Sequence, residues 1–398
     1  MLRPLKGLTV IELGSILAAP AAAALLGDLG ADVIKVEPPG GDGSRDWWPE
    51  TRQGGESAHY VAFNRSKRGM VIDLKNPRGK EIYLKLAAKA DVIIDNYRVG
   101  ASDRLGLGYQ AVKAINPDIV YGAITGFGLT GPRATEGATD QLAQAFSGLM
   151  SLTGDERCGP ARVPNSAGDY STAFYCVIGI LSAIRHRDQT GEGALIETSL
   201  LDSHLAMLTQ HFAVWQETGK MPKPIGSRAP FTAPYQAFRA RDAWVVLGCL
   251  NDAMFVRACA VLGVPDLPKD ERFTSTRTRV LYPDDLEAVL APLIARFEAA
   301  DFIKTMNDAG VMAVPINNLE MVINDPQVVA RGGLASLNHP VAGEMKVPRL
   351  AIRIDHQTPD HYAPAPRFGE HSREILAELG YDRDAIESLV AAKAVIAL

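Results

Sequence analysis

Residues 7–45, GLTVIELGSILAAPAAAALLGDLGADVIKVEPPGGDGSR, constrain the fold more than any other stretch of this chain. An apolar run from Leu8 to Leu13 predicts a strand. A turn of small residues follows, and then an Ala/Leu segment that predicts a helix. A second apolar run, Val33 to Val36, predicts a strand that ends at Glu37. Strand, helix and strand in this order make a βαβ unit, the usual start of a nucleotide-binding α/β domain. The turn lacks G-x-G-x-x-G, so a dinucleotide is not the default ligand and another nucleotide-bearing molecule has to be considered.

The alternation continues. VIDL (Val71 to Leu74) predicts a strand, and Pro77 starts a helix through EIYLKLAAKA, because the first helical position tolerates proline. DVIID (Asp91 to Asp95) predicts a strand ending in Asn96-Tyr97-Arg98, and DIVYGAITGFG another. Helices are expected over 109–115, 139–152 and 169–187, and ALIETSL (Ala194 to Leu200) is a strand that runs straight into a helix through Glu217. Strands that alternate with helices predict a largely parallel sheet covered on both faces. GKMPKPIGSRAPFTAP, residues 219–234, reads as a linker. Beyond it, YQAFRA, AWVVLG and VMAVPIN predict strands, with helices over 252–262, 283–298 and 301–309, a compact α+β domain. The expected organisation is a large domain over 1–218, a linker over 219–234, a small domain over 235–318, and a segment over 319–398 that returns to the large domain with strands such as LAIRI.

Composition sets the class. A chain of 398 residues with 47% hydrophobic and 22% charged residues can bury large cores. A net charge of −5 gives no basic bias, so nucleic acid is not expected as a partner. Four scattered cysteines without a CxxC pair read as reduced thiols. The apolar run Ala173 to Ile184 is too short for a bilayer, and MLRPLKGLTV carries no leader pattern, so a soluble cytoplasmic protein without membrane contact is expected.

Among residues that can carry chemistry, Asp169 comes first. It follows Gly168 and precedes a long apolar helix. Asp in that setting is an N-cap, and the same geometry suits a carboxylate nucleophile toward an activated acyl group. Asn96, Tyr97 and Arg98 stand at the carboxyl end of a predicted strand, where ligands of open α/β sheets gather. Arg98 and Arg104 can bind phosphates, Tyr97 can stack on a ring, and Lys75 lies at a similar edge. Arg65, Lys67 and Arg68 form a basic run that is either a solvated face or an anion contact. The Gly-rich run 126–132 lacks a P-loop ending, and no H-E-x-x-H or G-x-S-x-G occurs, so neither a metal site nor a serine hydrolase is expected.

In their order, GLTVIELGSILAAP, GADVIKVEPPGGDGSR, NRSKRGMVIDLKNPRG, DVIIDNYRVG, RLGLGY, TGFGLTGP, GDYSTAFYCVIGILSAI and FGEHSREILAELGY resemble the class III CoA-transferases. That group includes formyl-CoA:oxalate transferase, carnitine CoA-transferases and α-methylacyl-CoA racemases. The resemblance implies an α/β fold: a large Rossmann-like domain with a mostly parallel sheet, a smaller α+β domain, and two chains interlocked as a homodimer. Coenzyme A or acyl-CoA is then a substrate, with no permanently bound cofactor, and small carboxylic acids are the partners. Asp169 matches the catalytic aspartate, which attacks the thioester to give an aspartyl mixed anhydride. The implied CoA contacts are Leu17, Ala18, Ile72, Asp73, Leu74, Lys75, Asn96, Tyr97, Arg98, Arg104 and Thr139.

This chain departs from the family pattern at several positions. Leu17 stands where some transferases have Gln, Pro38 where some have Arg, and Gly248-Cys249-Leu250-Asn251 where some have a glycine run. Thr139-Asp140 replaces the His-Asp of the racemases, and several transferases carry Tyr in place of Thr139. Racemisation needs acid/base groups on both faces of the α-carbon, so CoA transfer is the leading expectation. Racemisation, an intramolecular acyl-CoA isomerisation, or CoA binding without catalysis are the alternatives. Arg228 and Arg162 are candidates for the distal carboxylate of a dicarboxylic acid, and Asp140 for acceptor positioning, for assisting proton movement, or for a helix-start role.

Overall fold

The computed structural model describes residues 2–156, 158–359 and 361–398. It divides into two compact units, Met1–Leu149 with Val163–Gly219 and Arg331–Leu398, and Met150–Arg162 with Lys220–Ala330.

The first unit is built on six parallel strands: β1 (Thr9–Glu12), β2 (Asp32–Glu37), β3 (Arg68–Ile72), β4 (Val92–Asp95), β5 (Val120–Thr125) and β6 (Ala194–Ser199). Their spatial order is β3-β2-β1-β4-β5-β6, and a short strand, Val395–Ile396, closes the β3 edge antiparallel. Val10 of β1 pairs with Val33 of β2 and Val92 of β4, and Ile11 with Ile34 and Ile93. Successive strand residues point to opposite faces. Val10, Val33, Val92 and Val120 therefore pack into one core. Ile11, Ile34, Ile93 and Tyr121 pack into the other. The near-continuous Val/Ile runs follow from this burial on both faces. The chain reverses its direction of growth between β1 and β4, the crevice where open α/β sheets bind ligands.

Helix α1 (Ala18–Asp28) covers the valine face, and its run of small side chains lets it lie close to the sheet and to a long later helix. Pro20 sits in its first turn, where a missing N–H costs no hydrogen bond. The helix Pro77–Ala87 and the C-terminal helices cover the isoleucine face with Ile82, Tyr83, Ile375 and Leu389.

Under the loop that follows β1 lies a set of buried charges. Glu12 stands opposite Lys35 in the β1–β2 register, and both are fully buried. Lys35 Nζ lies 2.9 Å from Glu12 Oε1 and 2.7 Å from Asp42 Oδ2, and it donates to the Gly14 carbonyl at 3.0 Å. Lys67 Nζ lies 2.7 Å from Glu12 Oε2 and also donates to Asn64 Oδ1 and the Pro20 carbonyl. Asp42 Oδ1 accepts from the Ile16 N–H at 3.1 Å, and Ile16 holds a φ of 70°. Burial pushes the Asp42 carboxyl up, but Lys35 and the Ser44 donors outweigh it and hold it at about 2. Burial pulls the Lys67 ammonium down to about 8 against the attraction of Glu12. The run Arg65 to Arg68 is thus neither a solvated face nor an anion contact. Lys67 is tied to Glu12, Arg65 pairs with Asp28 at 2.7 Å, and Arg68 pairs with Asp32, Glu374 and Glu378.

The second unit holds a three-stranded antiparallel sheet, β7 (Tyr235–Arg239), β8 (Trp244–Gly248) and β9 (Met312–Pro315), in that order. The helices Asp252–Val261, Pro283–Ile294 and Ala299–Asp308 pack on it through Phe255, Leu286, Ile294 and Phe302. Asn251, in the segment that replaces a glycine run, caps the first of these helices by accepting from the Met254 N–H.

LAIRI is not a strand. In that stretch only Ile354 bridges, to Gln357. The pairing goes instead to β10 (Leu334–His339) and β11 (Gly343–Pro348), a hairpin of the first unit. Alternation there buries Ala335, Leu337 and Val347 on one side, which five residues of mixed polarity after Pro348 do not match.

Lys67→Met leaves half of the Glu12 carboxylate buried without its cation. It is expected to cost about 3–5 kcal/mol in urea unfolding. Lys304→Ala, at an exposed pair with Asp308, is expected to cost about 0.5 kcal/mol or less. Similar losses for the two variants would contradict a structural role for the buried set.

Candidate active site

A cavity of about 360 Å³ opens at the carboxyl ends of β4, β5 and β6 in the first unit. It gathers Ala18, Asn96, Tyr97, Arg98, Thr139 and Asp169 on one wall system, six of the residues singled out in the sequence. Gly126 of the Gly-rich run and Leu200 complete part of the lining. Leu17, Ile72, Asp73, Leu74, Lys75 and Arg104 do not line it. Ile72 is fully buried in β3 and its backbone pairs with Val395, while Lys75 and Arg104 are exposed.

Asn96 is held by the frame. Its side-chain Oδ1 accepts from the Ser15 N–H and its Nδ2 donates to the Ser15 carbonyl, both at 3.0 Å. These two bonds tie the loop after β4 to the loop after β1 across the crevice. Tyr97 follows, its phenol pushed up to about 12 by burial and then by Asp95. Arg98 is exposed and its guanidinium lies near Gly137, on the cavity wall.

Three helices build the floor: α2 (Asp140–Phe146), α3 (Ala167–Thr190) and α4 (Leu200–Met207). Asp169 is the third residue of α3 and not its cap, which is Ser166. The reading of Asp169 as an N-cap is therefore corrected. Its carboxyl is raised from 3.8 to about 7, by burial first and by the neighbouring Asp140 second. A helix N-terminus favours an anion by about 0.3–1 kcal/mol, less than one pKa unit, so it does not offset this rise. No donor meets the Asp169 carboxylate among the described residues.

Asp140 braces the turn. Its Oδ1 accepts from the Gly168 N–H at 2.7 Å, and its Oδ2 accepts from Gln144 Nε2 at 2.6 Å. Gln144 Oε1 in turn accepts from the Val163 N–H at 2.9 Å. Asp140 thus links the start of α2 to the start of α3 and sets where Asp169 stands. Of its sequence readings, this geometry supports the role at a helix start, although the helix it serves is the next one. Thr139 is the N-cap residue of α2, yet its hydroxyl makes no capping bond, and it faces the cavity.

His204 of α4 escaped the sequence reading, where it was one histidine among eight. It is fully buried against Gly168. A Cβ on Gly168 would stand 2.4 Å from His204 Cε1, so only glycine fits beside Asp169. No local spacing signals this contact, since it joins positions 36 residues apart (204 less 168).

Arg228 lies in the second unit and is already paired, 2.7 Å from Asp284 and 2.5 Å from Glu287. It does not serve as an open dicarboxylate clamp. Among the described residues, no three His, Cys, Asp or Glu side chains converge as a metal cage.

A carboxylate of near-neutral pKa on the wall of a cavity at a sheet switch point is a candidate nucleophile. Comparison with known proteins agrees with the CoA-transferase resemblance. The description of CoA-transferase family III matches residues 5–372. Succinyl-CoA:glutarate CoA-transferase of Mus musculus is 37% identical over 391 residues, covering 98% of this chain and 89% of that one. Acetyl-CoA:oxalate CoA-transferase of Acetobacter aceti is 36% identical over 378 residues, covering 94% and 95%. The crystal structure of a CAIB/BAIF family protein from Brucella suis superposes with a TM-score of 0.85 at 37% identity, covering 95% of this chain and 100% of that one. The chain belongs to CoA-transferase family III and is a class III CoA-transferase, an enzyme for which CoA thioesters are substrates.

Proposed function

We propose that this enzyme moves CoA from an acyl-CoA donor to a short dicarboxylic acid through a covalent intermediate on Asp169. The geometry that carries the reading is the half-buried Asp169 carboxylate on the cavity wall, met by no donor among the described residues, with burial and then Asp140 raising its pKa to about 7. A carboxylate of that basicity is both ionised in part at neutral pH and a stronger nucleophile than an exposed aspartate. Its oxygen attacks the thioester carbonyl, the C–S bond breaks, and CoA leaves as a thiolate, giving an aspartyl anhydride. The thiolate attacks the aspartyl carbonyl and releases the donor acid. The acceptor carboxylate then attacks the aspartyl thioester, and the returning thiolate takes the new acyl group and frees Asp169. Each step exchanges one acyl bond for another, so the sequence needs no external oxidant or reductant.

The named relatives act on glutarate and oxalate, which supports a dicarboxylic acceptor. Asn96, Tyr97 and Arg98 line the same cavity and are the CoA contacts we carry forward, with Arg98 supplying charge for a phosphate. The Thr139 hydroxyl is neither an acid nor a base near neutral pH, which argues against racemisation.

The assembly proposed is an interlocked homodimer. Leu142, Phe146, Phe174, Ile178 and Met207 of the first unit are about half exposed, an apolar face that suits a second copy. Helix α3 is, by length and composition alone, long and apolar enough to cross a membrane, unlike the run 173–184 read from the sequence. Its packing against α1, β5 and β6 favours a role in the core.

Incubation with succinyl-CoA, followed by hydroxylamine and peptide mass spectrometry, is expected to mark Asp169. Asp169→Ala should lose the mark and at least about 10³-fold in kcat. Retained exchange in that variant would sink the nucleophile assignment. The raised pKa also predicts a stability signature. The folded state holds the Asp169 proton more tightly than the unfolded chain, so stability falls as pH rises from about 4 through about 7. Asp169→Asn removes that loss and should raise Tm more at about pH 8 than at about pH 5. An equal change at both pH values would contradict the raised pKa.

A further inference from the structure

Gln144 is fully buried in α2 and does not line the cavity, yet its amide joins two groups of opposite hydrogen-bonding character. Its Oε1 accepts from the Val163 N–H at 2.9 Å, and its Nε2 donates to Asp140 Oδ2 at 2.6 Å. A backbone N–H only donates and a carboxylate only accepts, so the amide fits in one orientation. Turned over, it would set its NH₂ against an N–H and its carbonyl against a carboxylate. The other oxygen of Asp140, Oδ1, accepts from the Gly168 N–H at 2.7 Å. That N–H lies in the first turn of α3, where the helix offers it no carbonyl, and Ser166 makes no side-chain capping bond.

Neither donor to Asp140 can take a proton back. A proton on either oxygen would stand against one of them, and Asp140 has no other hydrogen-bond partner among the described residues. Helices α3 and α4 pack against α2. From α4 the titratable group facing Asp140 is His204, whose ring nitrogens make no hydrogen bond among the described residues. Asp202 of α4 is held by Ser199. From α3 the facing group is Asp169. Of the other elements on α3, α1 brings Asp28, which pairs with Arg65, β6 brings Glu197, which turns to the Leu129 N–H, and β5 carries no charged residue. Tyr170 follows Asp169 on α3 itself. The charged group that acts on Asp169 is Asp140.

We propose that Gln144 is a positioning residue for the transfer reaction: its amide, locked by the Val163 N–H, keeps Asp140 an anion that accepts at both oxygens, and so keeps a negative charge beside the nucleophile. This inference rests on the reading of Asp169 as the nucleophile. A carboxyl beside a fixed negative charge ionises less readily and is the stronger base once ionised. The charge has to be fixed, because two neighbouring carboxyls otherwise share one proton. A shared proton would settle in part on Asp140 and leave Asp169 an ordinary, weak carboxylate. Gln144 denies Asp140 that proton and assigns it to Asp169. A neutral side chain thus separates the carboxylate that braces α3 from the carboxylate that reacts.

The test is the pH profile of kcat/KM for succinyl-CoA in the full-length parent, in Gln144→Met and in Gln144→Glu. In the parent the acid limb follows the ionisation of Asp169, with a midpoint at about 7. Methionine keeps the length of the side chain and removes the donor, so Asp140 takes up a proton and its charge is lost. The midpoint is expected to fall by about 1 pH unit or more. The plateau above it falls as well, because the nucleophile is less basic. KM for succinyl-CoA should stay within about twofold, since residue 144 does not line the cavity. An unmoved midpoint, with an equal fractional loss at every pH, means a structural role only and overturns the proposal. Glutamate keeps the shape, accepts from Val163, and bonds to Asp140 only while the pair holds one proton and one negative charge. Gln144→Glu is therefore expected to keep the parent midpoint to within about 0.5 pH unit, and a larger displacement in either direction overturns the proposal too. Should Gln144→Met fail to fold, the profile of Gln144→Glu decides alone. Hydroxylamine capture at Asp169 is read separately in the parent. A missing adduct defeats the nucleophile reading, and an adduct with an unmoved midpoint in Gln144→Met defeats the role of Gln144 alone.

Discussion

Glu12 carries two lysines on one buried carboxylate, and the placing of the candidate active-site crevice depends on that junction. Lys35 comes from β2 and Lys67 from the approach to β3, and each also donates to a backbone carbonyl, Gly14 in the β1–α1 connection or Pro20 in the first turn of α1. Asp42 completes the set from the loop after β2 and holds the Ile16 N–H. A β-branched residue at positive φ is strained, so Ile16 needs such over-determination to stay there. Apolar residues of equal volume would often be as stable as a buried ion set. Charges do something apolar residues cannot: their hydrogen bonds set the direction of individual backbone groups. Here those groups belong to the loop that Asn96 then grips from β4.

The floor of the cavity is arranged in the opposite sense. In the frame every carboxylate of the junction meets a cation. On the floor, Asp140 is bonded by neutral donors only, the Gly168 N–H and Gln144 Nε2, and Asp169 meets no donor among the described residues. The outcome differs accordingly, about 2 for Asp42 and about 7 for Asp169. Residue type is the same in both places. Burial raises both carboxyls; at Asp42 the Lys35 ammonium and the Ser44 donors outweigh it, whereas at Asp169 no donor does and Asp140 adds to it.

Much of this was legible in the residues, and the gaps have a common cause. Val/Ile runs marked β1, β2, β4 and β5 because strands buried on both faces need them. Pro77 marked a helix start, and Gly168-Asp169 marked the start of α3 to within two residues. What was misread depends on distant partners. Lys67 looked like part of a basic surface run until Glu12, 55 residues away, consumed it. Arg228 looked like a clamp until Asp284 and Glu287 paired with it. LAIRI has strand-like composition, but β10 and β11 had already found each other. His204 carries no pattern at all, because its meaning lies in the shape of Gly168.

Position 139 shows how the reaction can be separated from the fold. Threonine before a helix usually caps it, and loss of such a cap costs about 1 kcal/mol. In this chain the Thr139 hydroxyl makes no capping bond, and the side chain is exposed on the cavity wall. The order of this region comes from the next residue, Asp140, through the Gly168 N–H and Gln144. Exchange of residue 139 therefore alters the cavity wall without touching the brace. The family resemblance implies His-Asp at positions 139 and 140 in racemases and Tyr at position 139 in several transferases. Asp140 serves the backbone and leaves its neighbour on the cavity wall, so residue 139 can vary while Asp169 stays where the floor has fixed it.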